Sequence, residues 1–406
     1  MTAAAGSAGT VILTFNGGSS SLKFGLFDVA EGKAEPLLTG EIETEGGGAV
    51  RLHAASATGR FHVDHSLGEA APGSWIGHVV DVLERSDLPA PAAIGHRLVH
   101  GGPHLLAPVL IDVAVLDQLE SVRSFAPVHI PAALATIRAA QGHFPGCPQI
   151  ACFDTSFHTT MPSVASTLPL PKALRDRGVR RYGFHGLSCE SIVRHLGPAL
   201  PERLIIAHLG NGASVTAVRA GRSIDTSMGL TPTGGLIMGR RTGDLDPGIL
   251  LHLLRDCGYT PATLATLVDR ESGMLGISGI DSDLRRLNAA APTEPDAALA
   301  IAMFGHSLAK MLAAMACSLG GVDMIVFTGG IGEHDCGVRA TAATALAWMG
   351  VALDPARNAA GAETISGDSS RVVLRVLAAQ EDAQIALHSA DLLGASNPSL
   401  RDDEPV

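Results

Sequence analysis

The length, composition and charge of this chain exclude several classes of protein. Its 406 residues suffice for about two or three domains, and 46% of them are hydrophobic, which is ample for large cores. The formal net charge of −11 argues against nucleic acid as a partner, because proteins that bind nucleic acid carry basic faces. Six cysteines show no Cys-x-x-Cys pair and no zinc spacing, and scattered thiols in a long chain indicate the reducing cytoplasm.

Strand-like and helix-like segments alternate along the chain, which predicts an α/β protein. The predicted strands of the first half are 11–16, 22–28, 92–100, 107–111 and 149–154. The second half has strand patterns within 203–225, a glycine-rich loop at 229–248, helices from 248 to 320, a strand, glycine turn and helix start at 324–335, a strand at 371–378 and a helix at 381–394.

Residues 297–319 are long and apolar enough to suggest a membrane span. His306 and Lys310 lie near the middle of this segment, however, where charge is unfavourable in lipid. We therefore predict a helix buried in a folded domain or at a subunit interface, and no membrane association. The first ten residues also lack the basic end and long apolar run of a signal peptide.

The pattern Asn-Gly-x-Ser occurs twice, at 16–19 and at 211–214. Each copy follows one apolar strand and precedes another, so each half of the chain begins with a similar strand–turn–strand unit. This repetition predicts two domains of like fold that face each other across a cleft, which is a common place for ligands.

Two glycine turns have the composition of anion-binding sites. Residues 16–23, NGGSSSLK, offer backbone N–H groups, hydroxyls and a lysine, which together suit a phosphate. An ordinary hairpin with an Asn-Gly turn is the competing interpretation, and the residues alone leave both open. The second turn, TGGIGEHD at 328–335, joins a strand to a helix start, where N–H groups attract anions. Neither turn contains the Gly-Lys-Ser/Thr of a P-loop.

Charged side chains occur near the ends of apolar strands. Arg97 interrupts the strand in GHRLVHGG and must pair with an anion or reach solvent. Asp154 ends the strand at 149–154, His185 lies between aromatic residues and glycines, and Arg241 lies in the glycine-rich loop. Structural interpretations also stay open: a hydrogen-bonded core histidine, a structural carboxylate for Arg97 and local ion pairs in a solvated loop.

Six of these segments, in this order, resemble the motifs of the acetate kinase family, within the larger group of acetate kinases, sugar kinases, actin and heat-shock ATPases. The resemblance extends from residue 11 to residue 392. The segments are NGGSSSLKF, GHRLVHGG, FDTSFHTTMP, YGFHG, HLGNGASV with DTSMG and MGRRTGDLDPG, and GGIGEH.

The resemblance implies two related α/β domains of the actin and sugar-kinase (ribonuclease H-like) type with an interdomain cleft. It implies an acetate and phosphate domain at 11–155 with a C-terminal helix at 384–396, and a nucleotide-binding and dimerisation domain at 156–383. It further implies a cytoplasmic homodimer that transfers the γ-phosphoryl group of ATP to acetate, reversibly and in line, giving acetyl phosphate and ADP. Mg²⁺, or alternatively Mn²⁺, is the implied metal.

The resemblance also implies roles for individual residues. The catalytic set is Arg97, His129, Asp154, His185 and Arg241. The metal lies near Asn16 and Glu381, and the acetate pocket consists of Arg97, Val99, Val128, Phe184 and Pro232. The phosphates and the nucleotide contact Ser19, Ser21, Lys23, His208, Leu209, Gly210, Asn211, Gly212, Asp283, Leu284, Arg285, Gly330, Ile331, Gly332, Glu333 and His334.

The chain departs from the family pattern at several positions. His334 replaces the usual Asn near the nucleotide, and Arg240 replaces a Thr beside Arg241, so the preferred phosphoryl donor stays open. The other departures are Ile130, Thr233, Gly234 and Arg286. None of them removes a matched catalytic residue, so we expect an active enzyme.

Two further alternatives stay open. One is a kinase for propionate or butyrate, against which Val99 argues, because a smaller side chain there would leave room for extra methylenes. The other is a nucleotide-driven switch protein of the actin and heat-shock type. That alternative predicts ATP hydrolysis indifferent to acetate and a further partner-binding domain, for which we find no spare length.

Overall fold

The chain forms two compact units in a computed structural model that describes residues 9–18, 21–44, 48–68, 72–127 and 129–396. Unit 1 contains both ends of the chain, up to residue 156 and from residue 380 onward, and unit 2 is the segment 157–379. The roles that the resemblance assigns to the two domains stay a prediction.

The elements of both units follow in chain order. The strands are β1 (Thr10–Gly17), β2 (Ser21–Ala30), β3 (Lys33–Thr44), β4 (Val50–Ser56), β5 (His62–Gly68), β6 (Ala93–Leu98), β7 (Val109–Leu110), β8 (Gln149–Phe153), β9 (Arg203–Leu209), β10 (Ala213–Arg219), β11 (Arg222–Thr226), β12 (Met324–Thr328) and β13 (Val373–Val376). The α-helices are α1 (Trp75–Arg85), α2 (Val113–Ser121), α3 (His129–His143), α4 (Ser163–Ser166), α5 (Lys172–Arg175), α6 (Gly186–Leu196), α7 (Pro247–Asp256), α8 (Pro261–Thr266), α9 (Gly273–Ser278), α10 (Leu284–Ala290), α11 (Pro295–Leu319), α12 (Gly329–His334), α13 (Cys336–Ala345), α14 (Pro355–Ala359) and α15 (Glu381–Ser396).

Unit 1 is built on a mixed sheet with the strand order β5-β4-β3-β2-β1-β6-β8-β7. β1 is antiparallel to β2 but parallel to β6, and β6 is parallel to β8. Alternate apolar residues of these strands form a core with α1, which contributes Trp75, Ile76 and Val79. α15 returns to this unit and packs on β1 and β6, so the last helix completes the first domain.

Unit 2 repeats the same arrangement. Its strand order is β11-β10-β9-β12-β13, in which β9 is antiparallel to β10 and parallel to β12, and β12 is parallel to β13. The order matches β3-β2-β1-β6-β8 of unit 1, strand for strand. The prediction of two domains of like fold is therefore confirmed, and the two Asn-Gly-x-Ser segments begin at the end of the first strand of each unit.

Most predicted strands are present with slightly different bounds, but the sequence patterns did not indicate β3, β4 and β5. In β4, Val50, Leu52 and Ala54 are buried while Arg51 and His53 are exposed. This alternation is a normal strand signal. It is weakened in β3 by a proline, a glycine and several charged residues, which are depleted in strands.

The long apolar helix α11 belongs to the body of unit 2. Among the described residues it is the one helix long and apolar enough to cross a membrane. Phe304, Leu308 and Leu312 are fully buried, and the helix packs on β10, α9 and α13. His306 and Lys310 are exposed on the opposite side. The prediction of a helix buried on one face in a folded domain is confirmed.

The close packing of α15 on β6 predicts a large effect of a small substitution at Gly95. A methyl group on Gly95 would lie 2.5 Å from both Ile385 Cγ2 and Ser389 Oγ. Gly95→Ala should therefore lower the free energy of unfolding by about 1–3 kcal/mol, as overpacking does. Gly142→Ala is the matched control, because Gly142 in α3 faces open space and should gain about 0.5–1 kcal/mol. Urea denaturation measures both, and equal midpoints for the two variants would contradict this packing.

Candidate active site

A buried ion pair joins the ends of two parallel strands in unit 1. Arg97 lies near the end of β6, and Asp154 follows β8 directly. Arg97 Nη2 and Nε donate to Asp154 Oδ2 at 2.6 and 3.0 Å, and the Asp154 side chain is 1% exposed. The other oxygen, Asp154 Oδ1, is buried without a hydrogen-bond partner among the described residues. Such an orphaned acceptor is unfavourable unless a ligand satisfies it.

Asn16, at the end of β1, links this ion pair to α15. Its Oδ1 accepts from Arg97 Nη1 at 3.3 Å, and its Nδ2 donates to Glu381 Oε2 at 3.0 Å and to Asp382 Oδ1 at 2.9 Å. Both acids lie in the first turn of α15, where the helix dipole stabilises negative charge. The structure thus places two predicted metal-site residues beside two predicted catalytic residues and adds Asp382, which the sequence patterns did not indicate.

The charges in this cluster do not balance. Burial raises the pKa of Asp154, and the Glu381 charge raises it further, although Arg97 opposes both effects. Burial likewise raises the pKa of Asp382, with Asn16 and Lys23 opposing. Burial lowers the pKa of Arg97, but the Asp154, Glu381 and Asp382 charges outweigh burial, so this pKa lies above its usual value. Three carboxylates facing one buried guanidinium favour the binding of a further cation.

The turn between β1 and β2 is closed by Gly18 N, which donates to Ser21 O at 2.8 Å. Lys23 follows on β2 with its side chain exposed. Ser19 lies outside the described residues, and so does Val128 of the predicted acetate pocket. His129 begins α3 in unit 1, and Val99 is buried just after β6.

Several predicted nucleotide segments of unit 2 meet at the carboxyl ends of β9 and β12. These strands are parallel neighbours, and ligands of α/β sheets bind at such ends. Glycines allow close approach here: a methyl group on Gly329 would lie 2.8 Å from Leu209 O, and one on Gly239 would lie 2.7 Å from Asn211 Oδ1. Gly239 therefore lies against Asn211, and Gly329 lies against Leu209.

Two histidines stack face to face in unit 2. The rings of His185 and His208 have centroids 4.1 Å apart with an interplanar angle of 22°. Nδ1 of His185 is 2.9 Å from Ser214 Oγ, and Nδ1 of His208 is 2.8 Å from Ser188 Oγ. The two serines hold the rings in place. Ser214 belongs to the repeated Asn-Gly-x-Ser pattern, whereas the sequence patterns did not indicate Ser188.

Arg241 and His185 converge over Gly212. A methyl group on Gly212 would lie 3.3 Å from Arg241 Nη1 and 3.3 Å from His185 Nε2. Arg241 Nη1 also donates to Pro232 O at 3.2 Å. Two nitrogen donors and a bare backbone surround one small space, which suits an anion such as a phosphoryl group. Phe184, beside His185, is 1% exposed.

The other predicted nucleotide residues have mixed environments. Asp283 caps α10 and pairs with the exposed Arg285 at 2.6 Å, whereas Leu284 turns its side chain into the core. Glu333 accepts from Gly329 N at 2.9 Å and so holds the glycine turn itself. His334 is exposed at the end of α12.

A buried arginine that the sequence patterns did not indicate supports this turn. Arg339 is 1% exposed and donates to Gly332 O and Glu333 O, both at 2.9 Å. It also donates to Asn358 Oδ1 at 2.8 Å, and Asn358 Nδ2 donates to Cys336 O. Arg339 therefore holds the last carbonyl groups of α12 in place.

The departures from the family pattern lie mostly at the surface. Arg240 is exposed and donates from Nε to Ser282 Oγ at 3.3 Å, and Arg286 pairs with Asp281 at 2.8 Å. Thr233 donates to Asp269 at 2.5 Å, while Ile130 is buried in the core of unit 1. Arg240 thus points along the surface rather than joining Arg241 over Gly212.

Comparisons with known proteins identify relatives over nearly the whole chain. A family model described as the acetokinase family matches residues 11–387. An acetate kinase of Nitrobacter hamburgensis is 42% identical over 403 residues, covering 96% of this chain and 98% of that protein. An acetate kinase of Streptomyces coelicolor is 41% identical over 409 residues, covering 96% of this chain and 99% of that protein.

Among solved structures, a propionate kinase from Francisella tularensis has a TM-score of 0.87 at 34% identity, covering 94% of this chain and 99% of that chain. An acetate kinase from Porphyromonas gingivalis has a TM-score of 0.83 at 34% identity, covering 95% of this chain and 100% of that chain.

A third histidine, His158, supports the turn before His185 and is buried in neutral form. Its Nε2 donates to Phe184 O at 2.9 Å, and its Nδ1 is 2.9 Å from Ser223 Oγ. Burial lowers its pKa from 6.5 to about 4, against the opposing effect of the Phe184 bond. The Phe184 carbonyl fixes the tautomer, because a carbonyl only accepts.

This buried histidine makes the stability of unit 2 depend on pH. His158 binds a proton with a pKa of 6.5 in the unfolded chain and of about 4 in the folded chain. Its contribution to the free energy of unfolding is therefore complete above pH 6.5 and is lost as the pH falls toward 4. Between pH 7 and pH 5 we expect His158 to lower the free energy of unfolding by about 2 kcal/mol. Urea denaturation at both pH values should show a smaller difference for His158→Gln. His195→Gln, at an exposed histidine of α6, is the control. If the free energy of unfolding of His158→Gln changed between the two pH values as much as that of the wild type, His158 would not be the buried neutral group that causes the pH dependence.

Proposed function

The chain belongs to the acetokinase family, and on this premise we propose that it is an acetate kinase, which transfers the γ-phosphoryl group of ATP to acetate and back. The observation that carries the proposal is Arg97, a half-buried guanidinium held on the buried Asp154 beside an orphaned carboxylate oxygen. A planar guanidinium fork matches both a carboxylate and a phosphoryl group. ATP and acetate are the substrates that the family implies.

Unit 1 supplies the acceptor side in this proposal. Acetate is already ionised, so its attack needs positioning rather than a strong base. Asp154 binds Nε and Nη2 of Arg97, whereas Nη1 makes only long bonds to Asn16 Oδ1 and Gly17 O, at 3.3 and 3.4 Å. A bound carboxylate would replace these two weak acceptors. Val99 is buried next to this position and would contact the methyl group of acetate.

Unit 2 supplies the donor side. We assign the nucleotide to the glycine segments at the ends of β9 and β12, and the transferring phosphoryl group to the space over Gly212. His185 Nε2 and Arg241 Nη1 would donate to its oxygens, where negative charge develops during transfer. His129 is the remaining predicted catalytic residue. The cleft that would bring the two sides together stays a prediction.

The acidic cluster of unit 1 fits a magnesium ion. Mg²⁺ is usually bound through one or two carboxylates together with water and substrate phosphates. Glu381, the Asn16 amide and the orphaned Asp154 Oδ1 provide such hard oxygen donors. The described part of the chain, this cluster included, has no group of three His, Cys, Asp or Glu side chains close enough to hold a metal ion, so water and substrate phosphates would complete the coordination. When bound beside Glu381, Asn16 and Asp154, Mg²⁺ would supply positive charge that offsets the negative charge of the phosphate oxygens. Mn²⁺ suits the same donors.

One comparison favours a longer acid as a second candidate substrate. The structure with a TM-score of 0.87 is that of a propionate kinase. Val99 opposes this alternative, because a buried valine leaves less space than a smaller residue would. A single methylene is worth only about 1–3 kcal/mol in selectivity, so we expect acetate to be preferred and propionate to react more slowly.

Acetyl phosphate trapped as its hydroxamate tests the proposed function. The purified protein should form it from Mg-ATP and acetate, less readily from propionate and butyrate, and not once Mg²⁺ is chelated. Parallel reactions with other phosphoryl donors show whether the chain, with His334 and Arg240 at these positions, prefers a donor other than ATP. ATP hydrolysis that is indifferent to every acid would contradict the proposal and favour a nucleotide-driven switch.

Substitution of Arg97 shows whether activity depends on the proposed site. We expect Arg97→Lys, which keeps the charge that Asp154 requires but loses the fork, to reduce kcat/KM on the order of 10²–10³-fold. Arg97→Ala should lose at least as much, and circular dichroism checks its fold, since it leaves Asp154 without its cation. Arg138→Ala removes an exposed arginine of the same unit and is the control. Full activity in Arg97→Lys would rule out this assignment.

We also propose that the protein is a cytoplasmic homodimer that associates through unit 2. Every residue of α7 is at least partly exposed, including Ile249, Leu251 and Leu254, and Leu299 and Met303 are exposed on α11. Exposed apolar patches mark interaction surfaces. The six cysteines are all free thiols, which supports a reducing compartment.

Sedimentation equilibrium measures the assembly state. We expect twice the chain mass of 41.7 kDa for the wild type. Leu251→Asp combined with Leu254→Asp should give the monomer mass, because charges would replace apolar contact area. Val113→Asp, at a valine of α2 that is 75% exposed in unit 1, should stay dimeric. A monomeric wild type would refute the dimer.

A further inference from the structure

Two serine hydroxyls in the core of unit 2 contact the stacked imidazoles. Ser214 in β10 and Ser188 in α6 are both 0% exposed, so water does not reach them. Ser214 lies opposite His208 in the pairing of β10 with β9, yet its hydroxyl contacts the neighbouring ring, that of His185. Ser188 Oγ contacts His208. Each imidazole therefore has its own buried hydroxyl on Nδ1.

The hydroxyl protons determine which ring nitrogen carries hydrogen. Among the described residues, Ser214 Oγ has one hydrogen-bond partner, His185 Nδ1, and Ser188 Oγ has one, His208 Nδ1. A buried hydroxyl that only accepted would leave its own proton without an acceptor, which is unfavourable. Each serine therefore donates, each Nδ1 accepts, and the ring hydrogen lies on Nε2.

The stacking disfavours a positive charge on both rings at once. Two imidazolium ions with centroids 4.1 Å apart would repel each other, and Arg241 adds a positive charge near His185 Nε2. His208 on β9 and Arg241 on the glycine-rich loop both face His185, and neither favours a further positive charge on it. Protonation of His185 at Nδ1 would also reverse the Ser214 hydrogen bond and leave the buried serine proton without an acceptor.

We propose that Ser214 is a positioning residue that holds His185 as a neutral ring with its hydrogen on Nε2, and that Ser188 does the same for the His208 ring stacked against it. His185 then presents an N–H donor beside Arg241 Nη1 to the transferring phosphoryl group without gaining or losing a proton. This inference rests on the proposed function, since the group that receives the hydrogen bond is the phosphoryl group of that reaction.

Nitrogen-15 NMR of histidine-labelled full-length protein observes the tautomer directly. The His185 signals, assigned by their loss in His185→Gln, should show a protonated Nε2 and an unprotonated Nδ1 at neutral pH. In Ser214→Ala the signals should shift toward exchange between the two tautomers. A wild-type ring protonated on Nδ1, or on both nitrogens, would overturn the proposal whether or not the enzyme makes acetyl phosphate.

Kinetics separate a positioning role from a structural one. Ser214→Ala should lower kcat by about 10–100-fold, as loss of a group that orients a reacting side chain does, with the KM values for ATP and acetate nearly unchanged. Ser214→Thr keeps the hydroxyl and should restore most of kcat. Ser191→Ala is the matched control, because this buried serine of α6 donates to the Ser188 carbonyl. Wild-type kcat in Ser214→Ala, or no recovery in a folded Ser214→Thr, would overturn the proposal. A wild type that makes no acyl phosphate would instead refute the proposed function, and the NMR result would still decide the tautomer.

Discussion

The site of each unit depends on one constraint of strand pairing. The first strand of each sheet, β1 or β9, has an antiparallel partner on one side and a parallel partner on the other. The antiparallel partner requires a tight turn where the first strand ends, and the parallel partner ends at the same edge. A glycine turn and the carboxyl ends of parallel strands therefore meet in both units. This is why Asn16, Arg97 and Asp154 are neighbours although they lie far apart in the chain.

The charge arrangement in unit 1 is better explained by ligand binding than by stability. A buried ion pair contributes little net stability, because desolvation of both charges offsets their attraction. Here Arg97 faces Asp154, Glu381 and Asp382 together, and the pKa values of the two aspartates are raised by burial. An apolar replacement would fold at least as well. The excess negative charge and the orphaned Asp154 oxygen are the features on which the proposed cation site rests.

The sequence predicted site residues where a polar side chain interrupts or ends an apolar strand. It did not predict them where a contact depends on how a distant helix or strand is aligned in the fold. Arg97 and Asp154 could be predicted because each stands in or beside an otherwise apolar strand. Asp382 could not, because its contact with Asn16 depends on where α15 returns to the first sheet. Ser214 lies within the repeated Asn-Gly-x-Ser pattern, but its contact with His185 could not be predicted, because that contact depends on the turn that orients His185. Spacing alone also left the interpretation of each glycine turn open, and only the ordered set of motifs favours the binding of phosphates there.

The conformation of His185 shows how the fold of unit 2 prepares this residue. Its φ of 59° is left-handed, which is uncommon for a residue other than glycine and persists only where the surroundings enforce it. His158 holds the preceding carbonyl, and Gly183, with a φ of 79°, leaves room for the His158 ring. α6 then starts directly after His185, so the side chain is directed back to the sheet rather than along the helix. Burial excludes charge from His158. For His185, the neutral ring that we propose rests instead on the Ser214 hydroxyl and the stacked His208 ring.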